Sequence, residues 1–112
     1  MGKRQVIKMR LDCEIISQDF LPVLRSALAK ELAGLGMNQK QIAEILGISQ
    51  PAVSQYLRDL RGAKNHFASD QDIYMRLKDV CGRIKVKGIG EAELKQEMYS
   101  LCEMALNRAR KL

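Results

Sequence analysis

The chain has 112 residues, which is enough for one domain with a hydrophobic core and too few for two. Hydrophobic residues make up 46% of it, which excludes a disordered chain, and with no Trp, two Phe and three Tyr the core must be mainly aliphatic. The formal net charge of +6 suits a polyanionic partner, because Lys and Arg release counterions when they neutralise phosphates. A membrane-spanning helix needs about 18 consecutive apolar residues, and no apolar segment of this sequence approaches that length.

The N-terminus and the cysteines both favour a cytoplasmic protein. Lys3 and Arg4 are not followed by the apolar segment of a secretory signal peptide. The three cysteines are widely spaced and cannot all pair with one another within one chain. We therefore expect free thiols in a reducing compartment and no membrane partner.

Residues 1–12 form a basic N-terminal arm. Lys3, Arg4, Lys8 and Arg10 give it four positive charges, with no acidic residue before Asp12. One interpretation is a frayed and solvated terminus. Others are an arm that follows DNA phosphates or enters the minor groove, and a short strand that pairs or swaps onto a second subunit. The sequence does not choose among them.

A helical segment is predicted from Cys13, with Asp12 as its cap. Pro22 opens the main helix or kinks its first turn, and Gly34 and Gly36 end it. An apolar stripe at helical spacing predicts that this helix supports the elements that follow: Phe20, Leu21, Leu24, Ala27, Leu28, Leu32 and Leu35.

Residues 38–60 predict two short amphipathic helices joined by a tight turn, which is a helix-turn-helix. Asn38 and Gln41 form a capping box for the first helix, and Gly47 suits the left-handed backbone at its end. Ser49 is a candidate cap for the second helix, with Pro51 in its first turn. The inner faces are Ile42, Ile45 and Leu46 in the first helix, and Val53, Leu57 and Leu60 in the second.

This segment resembles the helix-turn-helix of phage-repressor-like (XRE-like) regulators. The matching residues are Gln39, Ala43, Gly47, Ile48, Ser49, Val53, Ser54, Tyr56 and Leu57. The longer span from Cys13 to Gly62 resembles small archaeal predicted transcriptional regulators and the DNA-binding module of regulators fused to a thiamine-phosphate synthase-like domain. The resemblance implies a transcriptional regulator that binds DNA, and it implies a phosphate contact for Gln39.

After a polar loop, two more helices are predicted. The first starts near Ser69 or Asp70, and its inner face holds Ile73, Leu77, Val80, Cys81 and Ile84. Gly88 and Gly90 then mark a turn rather than a phosphate-binding loop. The last helix spans Glu91–Leu112, with a stripe formed by Leu94, Met98, Leu101, Ala105, Ala109 and Leu112. We expect this stripe to meet the same helix of a second subunit, and the alternative is packing on the chain's own core.

The helix Pro51–Leu60 is predicted to read the major groove, since its outer face carries polar residues. Gln55 can bond adenine, and Arg58 can bond guanine or hold a phosphate. Ser54 can contact a base edge or a phosphate. The full set of predicted DNA contacts is Gln39, Lys40, Ser49, Gln50, Pro51, Ser54, Gln55, Arg58, Arg61 and Lys64.

The cysteines allow a second hypothesis. Cys13, Cys81 and Cys102 could hold an iron–sulfur cluster or zinc, with His66 as a remote fourth ligand. The resemblance implies that Cys13 and Cys102 match cysteines common in such regulators, but relatives tend to carry Cys-x-x-Cys near the second, and here the tract ends in Ala105. The favoured alternative is that Cys81 and Cys102 are buried apolar residues and that no cofactor binds.

These observations predict an all-α fold: a helix-turn-helix three-helix core with two additional C-terminal helices. We expect a basic arm (1–12), a DNA-binding core (13–62) and a C-terminal extension (63–112) that dimerises and belongs to the same globular unit. The predicted function is sequence-specific binding of double-stranded DNA by a homodimeric transcriptional regulator, with no enzymatic activity. The alternatives are a metal- or redox-responsive regulator and an antitoxin-like interaction module. The operator and any small-molecule effector stay unknown.

Overall fold

In a computed structural model, residues 11–58 and 70–110 are described, and they form helices without any β-strand. The all-α prediction is therefore confirmed. The elements are α1 (Asp12–Ile15), a π-helical turn (Ile16–Phe20), α2 (Leu21–Gly34), α3 (Gln39–Leu46), α4 (Gln50–Arg58), α5 (Gln71–Val86) and α6 (Glu91–Arg110). The predictions for residues 1–10, for Leu60, Arg61, Lys64 and His66, and for the end of the last helix at Leu112 lie outside the described residues.

The helical path from Asp12 to Gly34 changes register just before Pro22. The Leu21 N–H donates to the carbonyl of Ile16, five residues earlier, which is a π-helical hydrogen bond. Pro22 lies in the first turn of α2 and has no N–H of its own to donate. The π-helical turn thus stands where the proline interrupts the α-helical pattern, and Pro22 lies in the first turn of α2 on a helical path that continues from α1. That path begins at Asp12, and its N-cap residue is Leu11 rather than the predicted Asp12.

Helix α2 is the centre of the fold. It packs against α3, α4 and α5, and Leu24, Leu28 and Leu32 on its predicted stripe are fully buried. At its end, Gly36 adopts φ 96°, which a residue with a Cβ rarely takes. The Nζ of Lys85 on α5 donates to the Leu35 carbonyl there, so a lysine complements this helix C-terminus.

Helix α5 begins where the sequence predicts, and the face that it buries is the predicted one. The Asp70 side chain accepts hydrogen bonds from the backbone N–H groups of Asp72 and Ile73, which caps the helix. Every residue of its predicted inner face is buried: Ile73, Leu77, Val80, Cys81 and Ile84. The chain then turns at Gly88, with φ 68°, into α6.

The stripe of α6 corrects one expectation. Leu101 and Ala105 are fully buried within the single chain, where they join the same hydrophobic cluster as α2 and α5. They are therefore unavailable to a second subunit, and the alternative of packing on the chain's own core holds for them. Leu94 and Met98 are half-buried against the same cluster. The side chains of Ala109 and Leu112 are not among those described.

The division of the chain into an arm, a DNA-binding core and a C-terminal extension, with boundaries after residues 12 and 62, stays a prediction.

Candidate nucleic-acid interface

The turn between α3 and α4 has the geometry that its residues predict. The Asn38 N–H donates to Gln41 Oε1 over 2.9 Å, and the Gln41 N–H donates back to Asn38 Oδ1 over 2.8 Å. This is the predicted capping box. Gly47 adopts φ 67° and ψ 36°, in the left-handed region, and the next N–H, of Ile48, donates to the Ala43 carbonyl. The helix therefore ends where the glycine allows the chain to reverse.

Helix α4 starts at Gln50, one residue before the predicted Pro51. The Ala52 N–H donates to Ser49 Oγ over 3.2 Å, and the Val53 N–H donates to the Ser49 carbonyl over 3.1 Å. Ser49 is therefore the N-terminal cap that the sequence predicts. Because Ser49 is also exposed, its predicted DNA contact is sterically open.

The two faces of α4 are oriented as predicted. Val53 is fully buried, and Leu57 is half-buried. On the opposite face Gln55 and Arg58 are exposed, whereas Ser54 is half-buried. Gln39, Lys40, Gln50 and Pro51 are also exposed. The described members of the predicted contact set thus lie at the surface, and most of them on α4 or at the start of α3.

Two cations at this surface, Lys40 and Arg58, are without an ion-pair partner among the described residues. Lys40 and Arg58 form no ion pair with any residue in the ranges 11–58 and 70–108. Each is exposed, so its charge is hydrated rather than satisfied by a carboxylate. Such a side chain can contact a phosphate without first breaking an ion pair.

A buried serine that the sequence analysis did not single out holds α4 in place. Ser26 on α2 is 1% exposed, and its hydroxyl donates to the Tyr56 carbonyl over 3.0 Å. Ser26 lies about 200° around the helix from Leu24, so a single apolar stripe places it on the outer face. The available signal is that Val23 and Ala29 are apolar on other faces of α2, as in a helix packed on several sides.

The cysteines do not form a common exposed site. Cys13 is exposed, whereas Cys81 and Cys102 are buried in the hydrophobic cluster, as the favoured alternative predicts. Burial raises the pKa of Cys81 to about 12, helped by the negative charge of Glu31, and burial also raises the pKa of Cys102 against the opposing effect of Arg25. The thiolate that a metal needs is therefore disfavoured at both positions. In the described part of the chain, no three His, Cys, Asp or Glu side chains lie together as a metal site.

One comparison with known proteins, against protein families, agrees with this geometry. Residues 26–63 match the family described as bacterial regulatory protein, arsR family, which covers α2 from Ser26, all of α3 and α4, and the residues that follow. The match supports a helix-turn-helix regulator that binds DNA, a class that points away from enzymatic activity. The narrower resemblance to phage-repressor-like and archaeal regulators stays a prediction.

No curated protein and no solved structure matches the chain significantly. Among the described helices, none combines the length and the apolar character needed to cross a membrane.

Proposed function

We propose, on the premise of a DNA-binding helix-turn-helix similar to that of the arsR family, that this chain is a sequence-specific transcriptional regulator that reads the major groove with α4. The observation that carries the proposal is the two-sided character of α4. Its apolar residue Val53 is buried against the scaffold, while Gln55 and Arg58 project into solvent from the opposite face. A recognition helix requires this division, because one face must be held rigidly and the other must reach base edges.

Different residues take different parts of the recognition. Gln55 offers an amide that can donate to and accept from the edge of adenine, and Arg58 offers a guanidinium that matches O6 and N7 of guanine. Pro51 and Ala52 can pack against thymine methyl groups. Ser54, which is half-buried, contacts a base edge or a phosphate through its hydroxyl.

Phosphate contacts orient the helix without reading sequence. Gln39 and Lys40 lie at the exposed start of α3, and Ser49 and Gln50 lie at the start of α4. Helix N-termini carry partial positive charge and unpaired N–H groups, which favour phosphate. Arg61 and Lys64 extend the same basic surface on the evidence of sequence alone. The net charge of +6 supports this assignment.

We further propose that the protein acts as a cytoplasmic homodimer on inverted half-sites whose centres lie about 34 Å apart, or a multiple of that distance. The burial of Leu101 and Ala105 means that the interface uses a surface other than the centre of the α6 stripe. Sedimentation equilibrium of the full chain, with and without a selected duplex, tests the dimer. A monomer in both cases contradicts it.

The experiment that tests base reading compares two glutamines. Duplexes that bind the full chain are selected from a random pool, and affinities are then measured on the selected duplex and on a scrambled one. Gln55→Ala should weaken binding to the selected duplex by about 1–3 kcal/mol and reduce the preference over the scrambled duplex. Gln96→Ala, an exposed glutamine on α6, is the matched control and should leave both affinities unchanged. Equal losses on both duplexes for Gln55→Ala would contradict base reading.

A further inference from the structure

A groove of about 900 Å³ lies between the helix-turn-helix and the C-terminal helix pair. One wall is the end of α3 with the turn at Gly47, and the other is the turn at Gly88 with the first two turns of α6. Its volume falls in the range of about 300–1,000 Å³ typical of small-molecule sites. Its aliphatic lining residues are Leu21, Ile45, Leu46, Ile84, Ile89, Leu94 and Met98.

Of the charged residues that line the groove, Arg25 is the one cation without an ion-pair partner in the part of the chain that the structure describes. Lys95 pairs with Glu91 over 3.3 Å, so these two charges cancel. Glu44 also lines the groove, but it is exposed, so water solvates its carboxylate. Arg25 on α2 is half-buried, and within the described ranges it forms no hydrogen bond or ion pair. A partly desolvated guanidinium beside apolar surface is complementary to an anion that brings its own apolar body.

The rim of the groove carries an exposed aromatic side chain. Tyr99 on α6 is 65% exposed although it lines the groove. An aromatic ring in this position can pack against the apolar body of a ligand, while its hydroxyl stays in water. Within the described residues, the groove therefore combines an apolar channel, a cation without an ion-pair partner (Arg25) and an accessible aromatic ring (Tyr99).

We propose that this groove binds a small amphipathic anion, a molecule with an aromatic or aliphatic body and one carboxylate, sulfonate or phosphate group. Arg25 holds the anionic group, and Leu94, Met98 and Tyr99 pack against the body. Because the opposite wall ends in the helix-turn-helix at Leu46 and Gly47, a bound molecule contacts both halves of the fold.

That position couples the groove to α4. A ligand that fixes α3 against α6 favours one orientation of the helix-turn-helix, and by linkage a bound duplex changes the affinity of the ligand by the same factor. This coupling rests on the proposed function, whereas the groove itself does not. The test of the groove is therefore made on the full chain without DNA.

The probes are 1-anilinonaphthalene-8-sulfonate, which has the proposed chemistry, and N-phenyl-1-naphthylamine, which is a similar body without the anion. Fluorescence titration should show saturable binding of the sulfonate with one site per chain. Arg25→Met should weaken the affinity for the sulfonate by about tenfold and leave the affinity for the neutral probe nearly unchanged. Lys78→Met removes an exposed lysine from the outer face of α5 and is the matched control, so it should change neither affinity.

A second variant tests the apolar channel. Met98→Trp places a larger side chain in the groove and should weaken both probes, while circular dichroism and the thermal midpoint report that the variant is folded. Sulfonate affinity that is unchanged in both Arg25→Met and Met98→Trp overturns the proposal, as does an equal loss of both probes in Arg25→Met. Saturable binding with the expected losses, in a chain that binds no duplex, supports the groove and contradicts the proposed function.

Discussion

The hydroxyl of Ser26 donates to the main-chain carbonyl of Tyr56 over 3.0 Å, and so links the central helix to the helix proposed to read DNA. Tyr56 lies between the outward Gln55 and the half-buried Leu57, so the bond tethers α4 to α2 next to a residue of the outer face. Val53 is buried on the same inner side. This polar bond and the burial of Val53 together hold α4 against α2, with Gln55 facing solvent.

Replacement of this serine should affect stability and recognition together. Ser26→Ala removes the donor and leaves a carbonyl that loses its side-chain partner, so we expect a loss of about 1 kcal/mol in the free energy of unfolding. Looser placement of α4 should also weaken binding to the selected duplex. Urea denaturation and duplex titration measure the two effects. Ser17→Ala, at an exposed serine of the π-helical turn, is the control and should change neither. A free energy of unfolding that is unchanged in Ser26→Ala would show that this hydrogen bond does not stabilise the fold.

Alanine substitutions at two glycines should change the free energy of unfolding in opposite directions. Gly47 has φ 67°, so Gly47→Ala forces a left-handed backbone on a residue with a Cβ and should destabilise the fold by about 1–2 kcal/mol. Gly82 lies inside α5 with an ordinary helical backbone, and apart from the neighbouring backbone of that helix no atom of the described residues lies within 4 Å of an added Cβ. Gly82→Ala should therefore stabilise by about 0.4–1 kcal/mol. Thermal and urea denaturation check both, and a destabilised Gly82→Ala would contradict the open space beside that helix.

Lys40 is predicted to contact phosphate rather than base. Lys40→Ala should weaken binding to selected and scrambled duplexes alike, and should reduce the slope of log affinity against log salt by about one. The measurement is a set of duplex titrations across salt concentrations. Lys78→Ala, on the outer face of α5, is the control with the same change in net charge. A loss confined to the selected duplex would instead assign Lys40 to base reading.

The cap of α5 should make stability depend on pH in acid. Partial burial raises the pKa of Asp70, but the backbone N–H of Ile73 and the guanidinium of Arg108, 2.6 Å away, outweigh it, so the pKa lies below its ordinary value of 3.8. The folded chain thus binds this proton less tightly than the unfolded chain. The stabilisation is present above the ordinary pKa and is lost as the pH falls through the lowered one.

Asp70→Asn tests this dependence because asparagine keeps the cap but does not titrate. Its free energy of unfolding should fall less steeply than that of the native chain as the pH drops below 3.8. Part of the pH dependence of stability should remain in this variant, because the pKa of Glu97 is also lowered, chiefly by the hydrogen bond from Arg76. Asn107→Ala, at an exposed position on α6 that carries no titratable group, is the control and should behave as the native chain. Denaturation curves that stay parallel in Asp70→Asn and native protein would contradict the prediction.

The cysteines should separate by reactivity. Cys13 is exposed, whereas burial raises the pKa of Cys81 to about 12, so little thiolate forms there at neutral pH. In the native protein, iodoacetamide should modify Cys13 first and reach Cys81 and Cys102 only on unfolding. Peptide mass spectrometry after timed quenching identifies each site. Equal labelling of Cys13 and Cys81 under native conditions would show that Cys81 is not enclosed.

Much of the helix-turn-helix was predictable because its signals are local. The capping box at Asn38 and Gln41, the left-handed Gly47 and the cap at Ser49 each involve atoms within a few residues along the chain. Helical spacing then placed Val53 inward and Gln55 outward without reference to the rest of the molecule. Such patterns determine where helices begin, where they end and which face is apolar.

Long-range packing decided the remainder. An apolar stripe shows that a face must be buried, but not against what, so α6 could meet a second subunit or its own core until the tertiary structure placed Leu101 and Ala105 in that core. The same holds for Ser26, whose burial depends on α2 being covered on more than one side. The groove beside Arg25 is a gap between helices that are distant in sequence. Whether such helices pack without a gap depends on the volumes of all the packed side chains together, so the sequence pattern of one helix does not predict it.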